Sequence, residues 1–180
     1  MTSSPSLPYY LGVLGGDVCD PRFIYVAFYK GRTRLTNRVI SWWLGSPYSH
    51  VELILGIDQI GRAVCASSSM MDDGVRIKHI ALHPEHWDVL PVYVDDAELV
   101  LARAWDWLDL HNSEQYDYRG LTSFVIRKFG HDPAKSTCAT AVAGMLGVAD
   151  SSVFEPRNLH ALLSWTPDDR ATKQFAEILP

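Results

Sequence analysis

Three residues have the types and settings that nucleophilic hydrolysis requires: Cys138, His50 and Glu52. Cys138 stands in KSTCATAVAGMLG, where Ser136 or Thr137 can cap a helix and leave the thiol in its first turn. Unpaired backbone N–H groups and the positive end of the helix dipole favour a thiolate there. The small residues Ala139, Ala141, Ala143 and Gly144 let such a helix press closely on a sheet and bring the sulfur to strand side chains. His50 opens the strand-like run VELIL, in which Val51, Leu53 and Leu55 form one face, so that His50 and Glu52 share the other. An imidazole that takes the thiol proton, with a thiolate that attacks a carbonyl, is the working pair of a cysteine hydrolase. Each residue also has a plainer reading. Free cysteines commonly serve as small buried packing residues, and a His and a Glu on a solvated sheet face need no function.

These side chains need elements to position them. Residues 22–29, RFIYVAFY, combine β-branched and aromatic types and predict a first strand. Residues 34–44 carry Leu35, Val39, Ile40, Trp43 and Leu44 as a helical stripe that Gly45 can end. The segment 48–56, YSHVELILG, reads as the strand bearing His50, and the turn DQIG leads back into 62–68, RAVCASS, as its antiparallel partner. GVRIKHI (74–80) and WDVLPVYV (87–94) extend the sheet, with Pro91 favouring an edge position or a bulge. Asp95 or Asp96 can cap a long helix with Leu99, Ala102, Trp105 and Leu108 at helical spacing. Helices are expected over 119–128 and 137–147, and Pro156 and Thr166–Pro167 open two short C-terminal ones. The fold class is α+β, an antiparallel sheet packed by helices, in one domain over 1–180.

The order GSPYSHVELIL, second strand, QYDYRGL, STCATAVAGMLG resembles the circularly permuted branch of the NlpC-type papain-fold hydrolases, in which the strand histidine precedes the helix cysteine. The resemblance spans roughly residues 12–147. It implies a papain-like core, catalytic Cys138 and His50, a polar third residue and no cofactor. It also implies amide-bond cleavage in peptidoglycan stem peptides by bacterial or bacteriophage enzymes, with a related group acting as acyltransferases. In many such relatives the third residue lies on the strand after the histidine's. Here RAVCASS has no His, Glu or Asp, only Cys65, Ser67 and Ser68. Glu52 is the nearest carboxylate, about 6.7 Å along the strand at Cα, and is expected to orient His50; the Ser67 hydroxyl is the alternative. Tyr118 in YDYRG and Ser67 are expected to line the substrate site, since similar proteins often place an aromatic residue near the cysteine. Tyr116, Asp117 and Tyr118 could equally anchor a turn before Gly120.

Other constellations carry less. His79, His83 and His86 in HIALHPEHW fall within eight residues, but Pro84 breaks any helix that would align them and the spacing fits no zinc signature, so no metal is expected. The tryptophans Trp42, Trp43, Trp105 and Trp107 read as core and sheet cover. A net charge of -5 gives no general attraction to nucleic acid or anionic lipid. Three widely spaced cysteines make no disulfide framework. The start MTSSPSLPYYLGVLGG lacks the basic, continuous apolar character of a signal peptide, and no window reaches the roughly 18 apolar residues of a spanning helix. The expected setting is a soluble protein made in the cytoplasm, with a phage virion or tail, and hence virion or tail proteins as partners, as a route to cell wall. The alternatives are a lipid acyl hydrolase or acyltransferase and a non-catalytic structural component of a virion or other assembly.

Overall fold

The chain forms five strands, β1 (Phe23–Tyr29), β2 (His50–Ile57), β3 (Ala63–Ser69), β4 (Gly74–Ile80) and β5 (Trp87–Tyr93), of which all but the small-residue β3, AVCASSS, are rich in β-branched, aromatic or leucine residues. The computed structural model describes residues 21–31, 47–112, 114–117, 136–148, 151 and 154–164. The five strands form one antiparallel sheet in the order β4-β3-β2-β1-β5, so the fold class is α+β. The DQIG turn joins β2 to β3 because Asp58 Oδ1 accepts from the N–H groups of Ile60 (3.0 Å) and Arg62 (2.8 Å), while Gly61 takes a left-handed φ of 81°. Pro91 sits on edge strand β5 opposite Tyr25, where its missing N–H can face outward.

Three helices are described: α1 (Ala97–His111), α2 (Cys138–Met145) and α3 (Pro156–Ser164). Asp96 caps α1 by accepting from Leu99 N–H at 3.0 Å. Its buried face is Ala97, Leu101, Ala104 and Leu108, not the expected Leu99, Ala102, Trp105, Leu108 stripe; Leu99 is exposed. Both sets have helical spacing, and the packing partners rather than periodicity choose between them. Thr137 caps α2 in a reciprocal capping box with Thr140. Almost every α2 residue is buried, and a Cβ at Gly144 would lie 2.8 Å from Trp107 Nε1, so only glycine allows α2 to approach α1 this closely.

One sheet face, with Val26, Phe28, Val51, Leu53, Leu55, Val64 and Ala66, packs with Leu101, Leu108, Val142 and Leu159 of the helices. The opposite face gathers Ala27, Ile54, Ala63 and Cys65. The alternation expected along β2 therefore holds, with Val51, Leu53 and Leu55 turned to the helices. The helices expected at 34–44 and 119–128 and after Thr166 lie outside the described residues, as do Cys19 and Tyr118. Among the described residues no helix is long and apolar enough to cross a membrane.

Candidate active site

Antiparallel pairing of β2 and β3 sets the start of β2 beside the end of β3. At that end the Ser68 hydroxyl donates to the Ser136 carbonyl at 2.7 Å, tying the entry of α2 to the sheet. The strap 114–117 holds the same residue. Tyr116 and Ser136 form a parallel bridge, Asp117 N–H donates to Ser136 O at 3.1 Å, and Ser136 Oγ donates to Glu114 Oε2 at 2.6 Å. Gly74, with φ of 146°, leaves room for the Glu114 carbonyl, onto which a Cβ would run. The first residue of α2, Cys138, is thereby brought to the first residue of β2, His50, near enough for the sulfur to act electrostatically on the imidazole.

His50 is held on its other side. Its Nε2 lies 2.7 Å from Glu52 Oε1. Glu52 is fully buried, and its second partner is Arg76 of β4: Nη1 donates to Oε2 at 2.6 Å and Nη2 to Oε1. The forked guanidinium matches the carboxylate plane. Arg76 Nε in turn donates to Asp72 Oδ2 at 3.0 Å, and Asp72 also receives Lys78 Nζ at 3.0 Å.

The electrostatics follow from these contacts. Burial alone would push His50 down, but the attraction of Glu52 and Cys138, with hydrogen bonds to both, carries the imidazole up to about 10. Burial alone would raise Glu52; the Arg76 fork and the His50 charge outweigh it and hold the carboxyl below its usual range. These contacts favour the imidazolium form of His50 beside the Glu52 carboxylate. Cys65, on β3, has the opposite setting: burial and then the Glu52 charge push its thiol far up.

Ser67, expected to line the substrate site or to orient His50, is fully buried, and its hydroxyl is engaged within the sheet, donating to Val51 O at 2.7 Å and to Ser68 O at 3.3 Å. Tyr118 lies outside the described residues; its neighbour Tyr116, 5 % exposed, lines a cleft of about 440 Å³. His50, Glu52, Tyr29, Trp87, Met70 and Met71 also line that cleft. Among the described residues its wall includes His50 but not Cys138, which is 5 % exposed. Of the histidine cluster, His79 turns to the Asp58 carboxylate, Nδ1 to Oδ2 2.7 Å.

Arg76 is the site residue that sequence reasoning missed. The available signal was the demand itself, because a carboxylate on an inner strand must find a cation. GVRIKHI offers Arg76 and Lys78 on one face of the next strand but one, and only the register, with Arg76 opposite Ser67, selects Arg76.

No protein-family model matches this chain, and no curated protein matches it. The functional reading therefore stands on the geometry and on the motif resemblance.

Proposed function

We propose that this chain is a cysteine hydrolase that cleaves amide bonds, with Cys138 as nucleophile, His50 as its acid and base, and Glu52 as the residue that orients His50. The observation that carries this reading is the convergence of Cys138, at the start of α2, on an imidazole whose Nε2 is held 2.7 Å from Glu52 Oε1. Two plain packing residues have no reason to bring a helix-start thiol and a charged imidazole together.

In the proposed reaction the Cys138 proton resides on His50, and the sulfur attacks the carbonyl carbon of the scissile amide. The N–H of Cys138, in the first turn of α2 where no intrahelical acceptor exists, donates to the developing oxyanion. His50 then protonates the leaving amine as the C–N bond breaks, leaving a thioester. Water, losing its proton to His50, attacks the thioester, releases the acid and regenerates the thiol. Glu52 stays ionised throughout, holding Nε2 and stabilising the imidazolium. The residues themselves supply every proton transfer.

The likeness to the permuted NlpC-type papain fold supports peptidoglycan stem peptides as substrate. Because that likeness includes bacteriophage enzymes, a virion or tail, in contact with virion or tail proteins, is the proposed setting. One observation favours a second reading: Met70, Met71, Tyr29 and Trp87 give the cleft an apolar wall suited to an acyl group, as a lipid acyl hydrolase or acyltransferase would need. Incubation with purified peptidoglycan and, separately, with acyl-ester lipids, followed by mass spectrometry of released fragments, separates the two. Release of peptide fragments supports the first and release of fatty acid the second. Inactivity on every amide and ester tried would leave a structural component of a larger assembly.

A further inference from the structure

We propose that Arg76 is a positioning residue of this site: forked on both oxygens of Glu52, it fixes the carboxylate so that Oε1 meets His50 Nε2 and the imidazole is aimed at Cys138. The inference rests on the reading of Cys138 as nucleophile. Glu52 has no exposed surface, so its orientation is set by its partners rather than by water. A lone His50 contact engages one oxygen; the two arms of Arg76 engage both and define the carboxylate plane. Arg76 is itself oriented, because its third donor, Nε, is held by Asp72 in the turn between β3 and β4. The cleft residues Asp72, Arg76, Glu52 and His50 thus form one connected string from the turn to the imidazole.

Charge acts in the same direction as geometry. The ionisable groups around Glu52 are His50 on its own strand, Arg76 from β4 with Asp72 and Lys78 beyond it, Cys65 from β3, and Cys138 of α2 through His50; its β1 neighbour, Ala27, carries no charge. Removing the guanidinium leaves a buried carboxylate with one cationic partner, and such a group takes up a proton at higher pH. Protonated Glu52 no longer holds His50 as an imidazolium.

The test is alkylation of Cys138 by iodoacetamide across the acid range, read by peptide mass mapping, in wild type, Arg76→Gln, Glu52→Gln and the double variant. If Arg76 acts through Glu52, each single variant lowers the rate about ten-fold and the double variant is no slower than Glu52→Gln alone. The acid limb of the wild-type profile should also move up by about one pH unit in Arg76→Gln. Losses that multiply in the double variant, or an unmoved acid limb, overturn the inference. Should Arg76→Gln fail to fold, Arg76→Lys retains the charge without the fork: a slower rate with an unmoved limb is expected, and a wild-type rate overturns the positioning role. Wild-type Cys138 that resists labelling takes down the nucleophile reading and this inference together. Ready labelling that is indifferent to Arg76 sinks this inference alone.

Discussion

His50 and Glu52, two residues apart on β2, meet side chain to side chain, with Nε2 2.7 Å from Oε1. Same-face neighbours on a strand stand about 6.7 Å apart at Cα, so both side chains must lean toward each other. Three fixed points make them do so. Arg76 holds the carboxylate, the Cys138 sulfur acts electrostatically on the imidazole, and His50 stands at the strand's first residue, where the imidazole can turn around the sheet end toward α2.

Glu52→Gln should therefore cost both activity and stability. The neutral amide keeps the shape but removes the charge that holds His50 as imidazolium, so turnover should fall by at least about 100-fold. It also leaves Arg76 in a buried site facing an uncharged group, with a stability loss of about 2–4 kcal/mol by urea denaturation. Unchanged turnover would remove Glu52 from the mechanism.

The pH dependence of stability has two edges with opposite signs. His50 is raised in the folded state from 6.5 to about 10, so its stabilising contribution is complete below pH 6.5 and is lost as pH rises toward 10. Glu52 is lowered from 4.5, so its contribution is present above that value and is lost as pH falls below it. Thermal melts across pH should show a plateau between about 4.5 and 6.5 with declines on both sides. The alkaline decline should shrink in His50→Gln. An alkaline limb of equal size in that variant would show that other groups carry it.

Much of the scaffold was legible because its signals are local. Aromatic and β-branched runs, the Asp58 turn, the Asp96 cap and the Thr137 cap each depend on a few adjacent residues, and their positions agree with expectation within one or two residues. That Cys138 and His50 come near each other was expected from a motif order rather than from physics. What could not be read depends on register and packing. Arg76 reaches Glu52 across β3, Ser67 turns its hydroxyl to Val51 O, and α1 buries Leu101 and Ala104 while exposing Leu99. None of these follows from spacing along the chain.

The entry to α2 is a packing problem that Gly74 solves. Gly74→Ala adds a Cβ against the Glu114 carbonyl at a φ of 146°, which an L side chain rarely adopts. Destabilisation of at least about 2 kcal/mol is expected, and, because Glu114 holds Ser136, a loss of activity in the fraction that stays folded. A variant with wild-type melting temperature would show that the strap 114–117 can yield.

The two described thiols should differ sharply toward a small electrophile. Cys65 is buried beside Glu52, and both factors keep it protonated, so it should remain unlabelled in the native protein and react only on unfolding. Labelling of Cys65 ahead of Cys138 would contradict the electrostatic picture of the sheet.

Hydrolysis of purified peptidoglycan by wild type and by Cys138→Ala, with the melting temperature measured on the same samples, tests the nucleophile directly. Replacing one buried sulfur by hydrogen should change stability by only about 1 kcal/mol, so the variant stays folded. Release of stem-peptide fragments by wild type and their complete absence with the folded Cys138→Ala protein is the predicted result; undiminished release by Cys138→Ala would contradict it.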